Sequence, residues 1–174
     1  MDRGRHRASE EAWSAECSRL GIRVAPVEFG VGVFATREFA AGDVIGVIRG
    51  RVIDDPGYAS AYVIELSDRL GLEPEGPLRE VNHSCEPNCW LSVDADAGTA
   101  TLHAARAIDA GQELVIDYAW PMTDDPVVCA CDSKSCRLWI VAAGETASWP
   151  YLLAYTRWEE LPAGREEKLK KRFG

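Results

Sequence analysis

Three cysteines fall within eight residues in Cys129-Ala130-Cys131-Asp132-Ser133-Lys134-Ser135-Cys136. A C-x-C-x4-C spacing can fill three corners of a tetrahedron, and zinc in a structural role favours a closed set of thiolates. The fourth ligand must come from elsewhere; Cys85 and Cys89 are both candidates. The plainer alternative is a set of free thiols. A second group is the run Arg79-Glu80-Val81-Asn82-His83-Ser84-Cys85-Glu86-Pro87-Asn88. Asn and Ser prefer local backbone hydrogen bonds to regular structure, and proline removes a donor. Apolar Val81, Trp90, Leu91 and Val93 lie around the run, so it reads as a turn held inside the protein. A third group is Glu113 to Tyr118, an apolar strand that ends in Asp117-Tyr118. Gly30-Val31-Gly32 lacks the third glycine of a dinucleotide fingerprint and is followed by a strand pattern. It marks a close backbone approach to a ligand or another segment. No serine-histidine-acid triad is legible.

The elements that must position these residues are short. Chain length, 174 residues, suits one domain with an appendage, and 47% hydrophobic content supports a core. The formal charge of −9 disfavours direct nucleic-acid binding and suits a basic, lysine-rich partner. The one basic run is Lys168 to Arg172. Met1 to Glu10 carries three arginines and no apolar run, so no signal peptide and no membrane span are expected, and a cytoplasmic location follows. Six cysteines in that compartment argue for metal or buried thiols over disulfides.

Trp13, Cys17 and Leu20 form a helical stripe after Ser9, ending near Gly21. From Ile22 to Ile53, β-branched runs punctuated by glycine predict a series of short strands. Ala35 to Ile45 and Ala104 to Leu114 share the pattern Ala-x-Arg-x-apolar-x-Ala-Gly-x-x-apolar. Two copies are too few for a solenoid and predict two similar strand-turn-strand units packed together. Tyr58 to Leu66 reads as a strand, Leu70 to Pro77 as a loop, and Leu91–Val93 with Thr99–His103 as a hairpin. Pro121 to Pro126 reads as a linker. Ser148 to Leu161 and Arg165 to Arg172 read as C-terminal helices.

Taken in order, Gly30-Val31-Gly32-Val33-Phe34-Ala35, Asn82 to Asn88, Gly111 to Tyr118 and the C-x-C-x4-C cluster resemble the SET-domain protein lysine methyltransferases with a post-SET zinc segment. The resemblance covers roughly Ile22 to Arg137. It implies a mainly β fold of short curved sheets around a pseudoknot, β-clip-like, with an N-terminal helix and C-terminal helices. Its parts would be an arm over 1–20, the SET domain over 21–120, a zinc segment over 121–143 and a helical extension over 144–174. The implied donor is S-adenosylmethionine, met by the backbone of Gly30, Gly32 and His83, by the side chains of Tyr62, Arg79 and Asn82, and by Leu138 or Trp139 over the adenine. Tyr118 matches the active-site tyrosine. Cys85, Cys129, Cys131 and Cys136 match the zinc ligands, which favours Cys85 over Cys89.

The implied reaction is methyl transfer to a lysine amine of a basic protein or peptide. Ile116 stands where the family usually has phenylalanine or tyrosine, Glu80 where an aromatic is common, and Gly76-Pro77 where Gly-Asn is usual. The segment from Ile53 to Leu78, which shapes the peptide groove, is short. Ile116 and the short groove point to one rival, methylation of a small amine metabolite; a second is a non-catalytic protein-binding module on the same scaffold, against which the intact Tyr118 and Asn82-His83 argue.

Overall fold

A computed structural model describes residues 13–28, 30–121 and 127–144. The expected C-terminal helices, residues 122–126 of the linker and the start of the N-terminal helix lie outside the described residues. Residues 13–20 are helical, and Gly21 ends the helix in the left-handed region (φ 72°) that glycine tolerates. The chain folds as two compact units. One takes the chain to Asn82 and from Pro87 to Ile116; the other takes His83–Glu86 and the chain from Asp117.

The first unit contains ten strands counted with its boundary strand: β1 (Ile22–Val27), β2 (Gly30–Ala35), β3 (Val44–Ile48), β4 (Gly50–Ile53), β5 (Ile64–Glu65), β6 (Gly71–Pro74), β7 (Asn82–His83), β8 (Cys89–Asp94), β9 (Thr99–Ala104) and β10 (Glu113–Ile116). They form three small sheets, in the orders β1-β2-β10-β7, β3-β9-β8 and β4-β6-β5. The strand β7 begins in this unit at Asn82 and leaves it at His83. Alternation decides which face each strand buries. In β9, Ala100, Leu102 and Ala104 are buried while Thr99, Thr101 and His103 are only partly so. The centre holds Val33, Phe39, Leu72, Leu102, Ile108 and Leu114, all nearly inaccessible. Truncating one of these leucines to alanine costs about 2–5 kcal/mol through lost burial and the cavity left behind.

The two repeated segments pack on each other with near two-fold reciprocity. Phe39 and Ile108 exchange both backbone bonds at 2.9 Å. Gly42 N–H donates to Ala104 O, and Gly111 N–H donates to Ala35 O, each at 2.8 Å. Asp43 Oδ2 accepts from Ala40 N–H in one copy, and Gln112 Oε1 accepts from Asp109 N–H in the other. Both glycines are left-handed (φ 89° and 92°), which is why Ala-Gly closes each turn.

Two sequence expectations fail in this unit. Only Ile64–Glu65 of Tyr58 to Leu66 forms a strand. Gly71–Pro74, expected as loop, is the middle strand of its sheet. Neighbours on both sides supply the pairing that the local Gly and Pro signals argue against. Pro74 sits at the strand end, where a missing donor is tolerated. Gly50 permits the approach of β4, since a Cβ there would overlap Glu73 O.

Regular structure is sparse in the second unit. Among its described residues one isolated bridge joins Val128 and Trp139. Cys129, Cys136, Leu138, Trp139 and Val141 form its buried core. Ala119, Asp132 and Leu138 adopt positive φ (47°, 52° and 73°), a conformation that L residues hold only when their surroundings impose it.

Candidate functional site

In the first unit the site is organised by Asn82. Its Nδ2 donates to Val31 O and to Glu113 Oε1, both at 2.9 Å. Both partners are acceptors only, so the amide orientation is fixed and Oδ1 is left to accept from outside. Gly32 belongs to the same contact: a Cβ there would overlap Glu113 Oε1 and crowd Asn82 Nδ2 at 3.0 Å. Gly30 is different. It has φ 98°, and nothing lies within 4 Å of where its Cβ would be, so its backbone is open to a ligand. Asn88 is the structural counterpart of Asn82. Buried to 5% exposure, it donates to Glu113 O (2.7 Å) and accepts from Val115 N–H (2.9 Å), continuing the pairing of β10 with a side chain.

Arg79 lies on a 3-10 turn (Pro77–Glu80). Its guanidinium sits 3.7 Å from the ring centre of Tyr62 and donates to Glu73 Oε1 at 3.3 Å. Glu73 in turn accepts from Tyr58 Oη at 3.2 Å. The predicted pair Tyr62 and Arg79 is thus brought together, with Tyr62 41% exposed.

In the second unit His83 and Tyr118 meet. Tyr118 N–H donates to His83 Nδ1 at 3.2 Å, and the rings are 5.3 Å apart at 58°. Trp120 lies on Tyr118 at 5.2 Å. The accepting Nδ1 requires the ring proton on Nε2, which faces Cys85 Sγ at 3.3 Å. Burial lowers the His83 pKa, the nearby Asp117 opposes this, and the neutral ring is favoured.

The thiols also converge here. Cys85 Sγ is 3.7 Å from Cys129 Sγ. A zinc tetrahedron with bonds of about 2.3 Å has edges of about 3.8 Å, so the spacing fits. His83, Cys85, Cys129 and Cys131 present ligand atoms within 4.8 Å of one another, and Cys136 interacts with the other three thiols. Backbone N–H groups surround the sulfurs: Cys85 and Cys131 donate at 3.5 Å, Arg137 at 3.3 Å and Leu138 at 3.4 Å. Such donors stabilise thiolate charge. Hydrogen bonds from Cys129, Cys136 and Cys85 push the Cys131 thiol down, while Cys131, Cys136 and Cys85 push that of Cys129 up. A divalent cation would let all four ionise. Cys89 takes no part. It is a 1% exposed core residue of the first unit, and burial pushes its thiol up to about 12. Leu138 is 4% exposed in the core of its unit, its left-handed backbone held by Cys129 N–H donating to its carbonyl at 2.8 Å.

Four residues escape sequence reasoning. Glu113 orients Asn82 and fills the Gly32 notch, a role signalled only by a carboxylate opening an otherwise apolar strand. Trp120 falls between the last strand and the Pro121 to Pro126 linker, and its one signal is an aromatic two positions from Tyr118. Asp117 and Arg137 form a 2.6 Å ion pair across 20 positions, which nothing local announces.

The SET domain family model matches residues 30–119. The histone-lysine N-methyltransferase trithorax of Drosophila virilis is 31% identical over 127 residues, 64% of this chain and 3% of the relative. The histone-lysine N-methyltransferase ATXR7 of Arabidopsis thaliana is 37% identical over 96 residues, 52% of this chain and 7% of the relative. The chain therefore spans a small fraction of these relatives' length. A crystal structure of KRYPTONITE in complex with mCHH DNA, an H3(1-15) peptide and SAH superposes with a TM-score of 0.59 at 25% identity. That match covers 68% of this chain and 29% of the other.

Proposed function

The chain belongs to the SET domain family, and from that premise we propose that it moves methyl groups from S-adenosylmethionine to a lysine side chain of a basic protein segment. The observation that carries this reading is Tyr118, fixed at its backbone by His83 and flanked by the rings of His83 and Trp120. Relatives named as histone-lysine methyltransferases and a fold relative crystallised with SAH and an H3 peptide support it. The net charge of −9 suits a lysine-rich partner.

Bound donor supplies an electrophilic methyl on a cationic sulfonium. Gly30, Gly32 and the His83 backbone, with Tyr62, Arg79 and Asn82, are assigned to hold it, and Leu138 to the adenine. Asn82 suits an ammonium group: both its N–H bonds are spent inward, so only its oxygen faces out. The incoming lysine must be neutral. At its ordinary pKa near 10.4 only roughly one in a few thousand is neutral at pH 7. Desolvation at the site lowers that pKa. Tyr118 orients the amine for in-line attack; its own pKa near 10 does not suit a general base at neutral pH. Cys85, Cys129, Cys131 and Cys136 are assigned to a structural zinc in a post-SET segment, with His83 Nε2–H donating to the Cys85 sulfur. Ile116 in place of an aromatic leaves room for repeated methylation.

Incubation with radiolabelled donor and lysine-rich histone peptides tests the reading. Label is expected on lysine, with a loss on the order of 10²-fold in Tyr118→Phe, the scale of a misoriented nucleophile. Absence of transfer together with absence of donor binding by calorimetry would overturn it.

A further inference from the structure

We propose that Arg137 is a positioning residue for Tyr118, acting through Asp117. It rests on the methyl-transfer reading only where activity is measured. Arg137 has two separate attachments. Its backbone N–H donates to Cys85 Sγ at 3.3 Å, and its Nη2 donates to Asp117 Oδ1 at 2.6 Å. The same Asp117 oxygen accepts from Ala119 N–H at 3.0 Å, across the left-handed Ala119. Tyr118 is the residue enclosed by that turn. From Tyr118 the path returns: its N–H reaches His83 Nδ1 at 3.2 Å, and His83 Nε2 faces Cys85 Sγ at 3.3 Å. Cys85, Arg137, Asp117, Tyr118 and His83 thus form one closed ring of bonds. Arg137 with Asp117 is its shortest side-chain ion pair, and His83 Nδ1 lies 3.6 Å from the same Asp117 oxygen.

Stability alone does not explain an arginine here. The side chain is 12% exposed, and its Nε is buried with no hydrogen-bond partner. Burying a guanidinium while leaving one donor unsatisfied is unfavourable, and an apolar residue of similar volume often serves stability as well or better. What the guanidinium adds is a fixed direction for the Asp117 carboxylate, and with it the Asp117–Ala119 turn that carries Tyr118. The attachment to Cys85 uses the backbone and survives any substitution at 137 except proline. The link to the thiols and the link to Tyr118 can therefore be separated experimentally.

The test uses the full chain purified with zinc and with labelled tyrosine rings. In Arg137→Met the zinc content is expected to match wild type. The Tyr118 ring resonances shift and broaden, while those of Tyr58 and Tyr62 stay in place. With lysine peptide, kcat falls on the order of 10²-fold, the cost of displacing a reacting group by about 1 Å, and KM for the donor is unchanged. Arg137→Lys recovers part of the loss, because an ammonium keeps the charge without the planar fork. Unaltered Tyr118 resonances in Arg137→Met overturn the proposal; so does loss of zinc in both variants, which would make Arg137 a structural residue of the thiol loop. Should Arg137→Met fail to fold, the isosteric Asp117→Asn must displace the same resonances to a smaller degree, and no displacement overturns it. If wild type transfers no methyl group, the methyl-transfer reading falls, while the ring spectra still decide the role of Arg137.

Discussion

Cys85 and Cys89 are four positions apart, yet they serve two units built on different principles. Cys89 is packed in β8 among aliphatic side chains, where burial keeps it a neutral thiol. Cys85 sits in a cluster of sulfurs surrounded by N–H donors. The first unit is held by apolar strands that bury one another, reinforced by a repeated turn that pairs with its own copy. Among its described residues the second has five core residues, two of them cysteines, a single bridge and three strained backbones.

The largest expected effect separates the units. Under the proposed zinc assignment, chelation or Cys131→Ser is expected to remove a contribution of about 10 kcal/mol, the scale that structural zinc supplies to small folds. Hydrogen exchange is expected to show the amides of Cys129, Leu138 and Ile140 losing protection while those of Phe39, Ala104 and Ile108 keep theirs. Parallel loss in both sets would mean that the apolar unit also depends on the thiols. The converse perturbation is Asn88→Ala, which leaves Glu113 O and Val115 N–H unpaired in a buried site. At about 1–3 kcal/mol for each group, a destabilisation of about 2–6 kcal/mol is expected in denaturant, with zinc content unchanged. Gly32→Ala is smaller: the added methyl displaces the Glu113 carboxylate from Asn82, a cost of about 1–3 kcal/mol. Its mark is weaker donor binding in calorimetry, again with zinc retained.

The two units also differed in how far they could be read. The first follows from alternation and glycine-bounded runs, and the Ala-x-Arg repeat foretold a real pairing of copies. It failed at Gly71–Pro74, because a middle strand can be imposed by its neighbours against local propensity. The second unit was legible only as ligand types at a spacing. Choosing Cys85 over Cys89 needed the resemblance, since both are cysteines beside the same turn and only tertiary structure buries one and gathers the other. Asp117 with Arg137, and Glu113 with Asn82, are pairs of ordinary charged or polar residues far apart in sequence. No periodicity or motif in a single sequence identifies such partners.

A pH titration tests the contrast at the cysteines themselves. The folded-state pKa of Cys89 is raised to about 12, above its value in an unfolded chain near 8.5. Below the unfolded value both states keep the proton, and the stabilising preference for the neutral thiol is fully present. As pH rises between the two values the unfolded chain loses its proton while the folded chain retains it. Stability of the first unit therefore falls across that window, with a slope of at most one proton. Cys89→Ala should remove this component of the slope while lowering stability at every pH through the cavity it leaves. Alkylation at neutral pH gives the same contrast more directly. After chelation Cys85, Cys129, Cys131 and Cys136 react, while Cys89 reacts only on global unfolding. Modification of Cys89 as fast as Cys85 would remove the distinction between an apolar unit and a thiol-bound one.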